Sequence, residues 1–299
     1  MLQRKSDRRR RGVPRSLPLA ALPWLLAAGL LPLACAKKTP PPTEVVAGEA
    51  PALPTSPADA AWRAAPVYTA VLLLQDMVEP RLMTPSTPSV GVQALRNGTR
   101  LAFRLSWTDS TQNDRPGAAR FVDACAVQLP AAAGPNLPAP QMGEPTGLVE
   151  ITYWSAGWQA EVNGRADSIQ ALYPNASVDH YPFEAASLEP GSPEQVEMEK
   201  RYAPAQGAGH STHPAGQPVQ DLVAAGPGTL TPAAQTRSEG QGSWDANVWA
   251  VVLVRDLPEV LRSQSRSQVA VAVWDGERDE VGARKMRSVW IPLDLGGQP

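Results

Sequence analysis

The chain has 299 residues, of which 43% are hydrophobic and 19% are charged, so it can bury one large core or two small ones. Its 32 prolines and 23 glycines argue against a helical protein and favour short strands joined by irregular loops. Residues 1–34 hold seven Lys or Arg and one Asp, so their removal changes the formal net charge from −2 to −8. A mildly acidic domain has no electrostatic footprint for nucleic acid, and we predict no nucleic-acid partner.

The first 34 residues have the pattern of an export signal. Basic residues come first, and the apolar run Leu17–Leu33 that follows is too short and too rich in proline to span a membrane. Residues 33–35 (Leu-Ala-Cys) resemble a bacterial lipobox, although Pro32 occupies a position usually held by leucine. We therefore predict a signal peptide over 1–34 and lipidation of Cys35, which would hold the mature chain on the periplasmic side of a bacterial membrane. Ordinary signal cleavage beside an incidental cysteine is the alternative.

The rest of the chain divides into a linker and one domain. Residues 35–57 are rich in Pro, Thr, Ala and Glu without periodicity, which predicts a tether. Residues 58–296 are predicted to form a single domain whose first turn contains Trp62.

Alternation of apolar and polar residues predicts short strands through most of this domain. Asn97-Gly98 is the strongest hairpin signal in the chain. Residues 164–242 are expected to be mostly loop, with short helices near Ala166–Leu172 and Pro193–Tyr202. The predicted strands are Val67–Leu74, Val90–Ala94, Arg100–Trp107, Phe121–Leu129, Leu148–Ala156, Val248–Arg255 and a closing pair within Gln268–Leu293. About eight short strands with turn-rich links predict an all-β protein, a β-sandwich.

Several kinds of chemistry have no sequence signal here. There is no Cys-x-x-Cys-His motif and no cysteine cluster, which excludes covalently attached haem and iron–sulfur centres. His210 and His213 lie in a Gly/Ser/Pro loop without metal-ligand spacing, and Cys125 lies in an apolar strand as an inert, buried thiol. Neither a phosphate-binding glycine loop nor a nucleophile–base set is present, so hydrolase and dehydrogenase activities have no support.

Two side chains remain as candidates. Lys285 belongs to the predicted last strand pair, where a period of two places it on the same side as Val289 and Ile291, an unusual place for an ammonium group. Met142 lies in a loop that leads into the strand Leu148–Ala156. Without further information, we expect Lys285 to be a surface lysine whose aliphatic part is buried, and Met142 to be a core residue that fills a gap in the packing.

Several segments together resemble a known family. The segments are 121–130 (FVDACAVQLP), 151–154 (ITYW), 222–231 (LVAAGPGTLT), 249–252 (WAVV), and Val273–Gly276 with Arg284, Lys285 and Trp290. They resemble the haem b-binding gamma subunits of ethylbenzene dehydrogenase and of its chlorate, selenate and dimethylsulfide-oxidising relatives, in the same order over residues 55–295.

The resemblance implies a β-sandwich that holds one haem b between two axial ligands. In that family the ligands are a methionine in a Met-Gly-Asp-like loop and a lysine after Trp-Asp-Gly, which correspond to Met142 and Lys285. Glu144 stands where aspartate is commoner, which leaves the ligand itself unchanged. With both axial positions filled, such a haem carries electrons and leaves no open position for substrate, so the resemblance implies a non-catalytic electron-transfer subunit. The implied partners are molybdopterin-enzyme alpha and iron–sulfur beta subunits or a soluble c-type cytochrome.

Other residues are weaker candidates for the haem pocket. Arg284, Arg287 and Arg255 are candidate partners of the haem propionates, with ordinary surface arginines as the alternative. Tryptophans are candidate pocket walls, for which core packing is an equal alternative: Trp154, Trp158, Trp244, Trp249 and Trp290.

The alternative function is binding of carbohydrate or of another surface partner by a lipoprotein, because exposed tryptophans of exported β-sandwiches often stack on sugars. A haem domain that has lost its iron ligation and persists as a structural subunit is a third possibility.

Overall fold

The computed structural model describes residues 40–166, 173–175, 189, 191–194, 196–197 and 216–296. Within these ranges the α-helix α1 covers Ala156–Val162, residues 193–194 and 196–197 are also α-helical, and 3₁₀ helices cover Ala60–Ala64, Glu259–Leu261 and Gly276–Arg278. The strands are β1 (Val45–Glu49), β2 (Tyr68–Val71), β3 (Leu73–Leu74), β4 (Ser89–Asn97), β5 (Arg100–Thr108), β6 (Ala124–Pro130), β7 (Val149–Ser155), β8 (Val219–Ala224), β9 (Thr231–Pro232), β10 (Glu239–Asp245), β11 (Val248–Asp256), β12 (Arg266–Trp274), β13 (Met286–Arg287) and β14 (Ile291–Asp294). No helix in these ranges is long and apolar enough to cross a membrane.

The strands form one curled, mixed sheet in the order β10-β11-β5-β4-β1-β14-β12-β6-β7-β8-β9, while β13 links β12 to β3 and β2 pairs with β4. β1 pairs in parallel with β4 and β14, and the other pairs are antiparallel. The all-β prediction is confirmed, including the pairing of β12 with β13 through the connection that begins at Asp275-Gly276.

The curl of the sheet brings two layers face to face around the main core. One layer contains β4, β5 and β11, and the other contains β6, β7 and β12. Trp154 on β7 meets Trp249 on β11 edge to face, with 5.1 Å between the ring centroids. The main core includes Val92, Phe103, Leu105, Val127, Trp154 and Trp249, all of them buried.

The hairpin of β4 and β5 follows directly from its sequence. The loop between Asn97 and Arg100 has only two residues, and its Gly98 has a φ of +55°, which glycine adopts without steric cost. On β5 the alternate residues Leu101, Phe103 and Leu105 are fully buried, as their period of two predicts.

Four strands lie where the sequence predicted none. β1 lies within the predicted tether 35–57 and pairs with β4 and β14, so the tether prediction is wrong over this strand. β8, β9 and β10 lie at least partly within the segment expected to be mostly loop. In β10 the packing of Trp154 requires glycine at position 242, because a Cβ there would lie 2.1 Å from the Trp154 ring. The helix expected near Ala166–Leu172 lies almost entirely outside the described residues, whereas the described residues of the helix expected near Pro193–Tyr202, 193–194 and 196–197, are α-helical.

Candidate functional site

A cavity of about 650 Å³ lies on the outer face of the layer formed by β6, β7, β8 and β12. Small residues on these strands, Ala126, Ala270 and Ala272, line it. The cavity exists because these side chains leave space where larger ones would fill it. Aromatic and aliphatic residues close the sides, including Ile151, Tyr153, Trp158, Leu222 and Trp274.

The strands divide their residues between this cavity and the main core. On β6, Cys125 and Val127 point into the main core, while Ala126 between them lines the cavity. On β7, Trp154 belongs to the main core and Tyr153 lines the cavity. The alternation of side chains along a strand therefore builds a packed interior and a ligand-sized apolar space on the two faces of one layer.

Lys285 enters this cavity from the residue just before β13. The β12–β13 register pairs Val273 with Met286, which brings Lys285 opposite Trp274, and its Nζ lies 5.1 Å from the Trp274 ring centroid. The backbone carbonyl of Lys285 accepts a hydrogen bond from the Gln75 amide at 3.0 Å. Within the described chain no salt bridge neutralises Lys285.

Met142 lies directly against this amine. Its Sδ is 3.7 Å from Lys285 Nζ, although 143 residues separate the two in sequence. Burial, with the nearby Arg287 guanidinium, lowers the pKa of Lys285 from 10.5 to about 8. An amine with a pKa of about 8 loses its proton more readily than an ordinary lysine, and together with the thioether that faces it this amine could bind one metal centre.

Because burial disfavours the charged amine, the stability of the haem-free protein is expected to depend on pH through Lys285. The folded pKa is about 8 and the ordinary value is 10.5, so the unfolded chain binds more protons between these values. The free energy of unfolding should therefore rise with pH across this window by about 1 kcal/mol per pH unit more in the wild type than in Lys285→Met. Denaturant unfolding of both proteins at a series of pH values measures this difference; parallel pH profiles would contradict it.

The Met142 loop is held in a backbone conformation that side chains rarely adopt. Met142 has a φ of +68° and Gly143 a φ of +81°. The Met142 carbonyl accepts a hydrogen bond from the Gly226 amide at 2.8 Å, and a Cβ on Gly143 would lie 2.7 Å from the Gly147 carbonyl oxygen. A non-glycine residue at positive φ costs about 1–3 kcal/mol, so the surrounding contacts must hold Met142 in this position.

Arg287 lines the cavity, whereas Trp290 packs beside it without lining it. Arg287 is buried and places Nη2 3.7 Å from Met77 Sδ, while its Nε has no hydrogen-bond partner among the described residues. Trp290 donates a hydrogen bond to the Pro138 carbonyl at 2.7 Å and packs in the same cluster as Met142. Trp290 therefore supports the loop that carries Met142, and Arg287 supplies a positive charge at the cavity wall.

The structure places other predicted pocket residues elsewhere. Trp154 and Trp249 lie in the main core, so their prediction as walls of this cavity is wrong; residues at odd and even positions of β7 face opposite ways. Arg255 pairs with Glu150 at 2.7 Å outside the cavity, and Arg284 lies over the Phe121 ring. Trp244 packs against the main core, whereas Trp158 does line the cavity.

Sequence reasoning missed Gln75, which fastens the cavity rim. Its Nε2 donates to the carbonyls of Val78 and Ala283, and its Oε1 accepts from the amides of Met77 and Val78. It therefore joins the loop after β3 to the segment before Lys285. A lone glutamine next to an irregular loop gives no sequence signal for this role.

The tryptophans bear on the carbohydrate-binding alternative. None of the eight tryptophans in the described ranges is exposed, so these residues form no open aromatic platform. Their rings instead lie in the main core or beside the cavity, except that Trp62 lies in a separate core cluster.

The fold and the site together define an all-β domain with an apolar cavity and a methionine–lysine donor pair. The chain belongs to the ethylbenzene dehydrogenase family, which it matches over residues 59–286. It is 25% identical over 266 residues to the Haloferax mediterranei protein assigned as a respiratory nitrate reductase heme subunit, covering 87% of this chain and 74% of that protein. It is 33% identical over 103 residues to the chlorate reductase subunit gamma of Ideonella dechloratans.

The second of these matches spans 34% of this chain and 43% of the chlorate reductase subunit. Among solved structures, a family 9 carbohydrate-binding module of Caldicellulosiruptor kristjanssonii aligns over 85% of this chain and 93% of its own. The TM-score is 0.35 and the sequence identity 8%.

Proposed function

We propose that this chain is an exported electron-transfer subunit that binds haem b in the cavity, with Met142 and Lys285 as the two axial ligands. The observation that carries the proposal is the 3.7 Å approach of Met142 Sδ to Lys285 Nζ inside an apolar space of about 650 Å³. A space of this size is typical of cofactor sites. The heme-subunit name of one relative supports the choice of ligand.

Each residue of the site has a role in this proposal. Lys285 supplies a neutral amine, which its lowered pKa favours, and Met142 supplies a thioether that stabilises ferrous over ferric iron. Arg287 provides a buried guanidinium without a salt-bridge partner among the described residues, suited to a propionate. Haem would supply reversible one-electron chemistry, and the cavity around the two ligand atoms is lined mostly by apolar side chains.

The proposed partners follow from the relatives and from charge. Because one relative is a chlorate reductase subunit, we propose that this chain exchanges electrons with the alpha and iron–sulfur beta subunits of a molybdopterin enzyme. A soluble c-type cytochrome is the second proposed partner, and the net charge of −8 after residue 34 suits a basic carrier. Lipid on Cys35 would hold the domain at the periplasmic side of the membrane.

The test is to purify the chain from a haem-sufficient bacterial host and record absorption spectra. We expect a Soret band, a pyridine haemochrome of the b type, and reversible spectral change on reduction and reoxidation. A colourless protein that also fails to take up added hemin would overturn the proposal. Bound haem without reversible reduction would contradict the electron-transfer role alone.

A further inference from the structure

Gln75 is a buried side chain whose hydrogen bonds all go to backbone groups at the cavity. It is 6% exposed and directly follows β3. Its Nε2 donates to the carbonyls of Val78 at 2.8 Å and Ala283 at 3.1 Å. Its Oε1 accepts from the amides of Met77 at 2.7 Å and Val78 at 2.8 Å. A glutamine amide offers two N–H donors and one carbonyl oxygen with two lone pairs, so this side chain uses its full hydrogen-bonding capacity.

The backbone of Gln75 joins the same two segments. Its amide donates to the Lys285 carbonyl at 3.0 Å, which continues the pairing of Leu74 with Met286 by one residue. Its carbonyl accepts from the Leu82 amide at 2.8 Å and so closes the loop 76–81 at its base. Gln75 therefore holds the candidate ligand segment at two points, the Lys285 carbonyl through its backbone and the Ala283 carbonyl through its side chain.

The segment that carries Lys285 has few other backbone contacts. Residues 281–285 belong to no strand, and Val281 and Gly282 are exposed. Within the described chain, the backbone of 281–285 is hydrogen-bonded to other segments only through Gln75 and through Trp274 Nε1, which donates to the Gly282 carbonyl at 3.1 Å. The position of the Lys285 backbone, and with it the reach of the amine, thus depends on Gln75.

We propose that Gln75 is a positioning residue for Lys285, whose side-chain amide fixes the segment 283–285 so that Nζ stays opposite Met142 Sδ at 3.7 Å. This inference rests on the proposed function, because Lys285 is there a ligand of haem iron. Residues that orient a metal ligand commonly contribute 10–100-fold to metal affinity, although they do not touch the metal themselves.

The first test uses the hemin-loaded chain and the variant Gln75→Met, which keeps the length of the side chain and removes its four hydrogen bonds. On acidification a lysine ligand leaves the iron as it takes up a proton, so a more weakly held amine leaves at higher pH. We expect the spectral transition of Gln75→Met to lie about one pH unit above that of the wild type, which corresponds to about 10-fold weaker ligation. Lys285→Ala has no amine to protonate and should lack this transition.

The second test uses the haem-free chain. The rate at which an amine-reactive ester acylates Lys285, followed by mass spectrometry of the peptide, reports how often this amine leaves its position. We expect about 10-fold faster acylation in Gln75→Met, under conditions in which circular dichroism shows both proteins folded. Gln75→Glu is the second variant, because it keeps the acceptor for Met77 and Val78 but loses the donor to Ala283; it should change the acylation rate in the same direction. Gln235→Met, at an exposed position outside the cavity, is the matched control and should match the wild type.

The two tests separate this inference from the proposed function. Unchanged acylation of Lys285 in both Gln75 variants would overturn the inference whether or not the chain binds haem. Faster acylation with an unchanged acid transition would also overturn it, because Gln75 would then support the loop without setting the ligand. A chain that binds no haem would contradict the proposed function, while the acylation rates would still decide whether Gln75 holds Lys285 in place.

Discussion

Lys285→Ala and Met142→Ala are each expected to lower haem affinity by on the order of 100-fold or more, since loss of a residue that merely supports a metal ligand already costs about 10–100-fold. The physical reason is that each change removes one of the two donor atoms that meet in the cavity at 3.7 Å. Titration of the apo-proteins with hemin, followed by absorbance, measures the affinities. Met142→Ala should also lower the reduction potential of any haem it retains, because a thioether stabilises ferrous iron.

The matched control is Met83→Ala, since Met83 is 76% exposed and lies outside the cavity. It should retain the wild-type haem affinity and spectrum. Unchanged affinity and spectra in both Lys285→Ala and Met142→Ala would exclude these residues as ligands, even if the protein binds haem.

Trp154→Ala is expected to destabilise the fold by about 3–5 kcal/mol, as large truncations of buried aromatic residues do. Trp154 is fully buried, donates to Gln159 Oε1 at 3.2 Å, and packs against Trp249 and the backbone of Gly242. Its removal leaves a cavity between the two layers of the sheet. Denaturant unfolding of the haem-free protein measures the loss.

Trp158→Ala is the comparison variant, because Trp158 faces the cavity whereas Trp154 lies in the main core. Trp158 is half-buried, lines the cavity, and meets the Tyr153 ring with 5.3 Å between centroids. Its removal should cost less stability than that of Trp154 and should weaken haem binding more. If Trp158→Ala proves the more destabilising change and Trp154→Ala the more damaging to haem binding, the assignment of these two faces of the sheet is wrong.

Local signals in the sequence predicted the elements whose structure is determined locally. The Asn97-Gly98 turn and the alternation from Leu101 to Trp107 encode the β4–β5 hairpin within about a dozen residues. The apolar run before Trp274 likewise marks β12 as a buried strand. In these places the turn chemistry and the hydrophobic pattern agree with the tertiary fold.

Elements that depend on distant partners were not predictable in this way. β1 is a strand because β4 and β14 leave a parallel position between them, and a five-residue segment in a proline-rich stretch carries no sign of it. β10 contains glycines that normally weaken a strand, yet Trp154 fills the space above Gly242. Such pairings become visible only when the whole sheet is assembled.

The candidate site was predicted only in part, because it too depends on contacts between residues far apart in sequence. The family resemblance pointed to Met142 and Lys285, and the structure brings their side chains together. The resemblance did not show which tryptophans face the cavity, because their direction depends on the register of β7 between β6 and β8. Gln75 joins segments that are far apart in sequence, and no motif marks it.

We propose that a sulfur and an uncharged amine from opposite halves of the chain hold one iron atom. Anomalous X-ray scattering at the iron edge, on crystals of the hemin-loaded chain, should show a single iron peak between Met142 Sδ and Lys285 Nζ. An iron peak elsewhere, or one bonded to neither side chain, would exclude this arrangement.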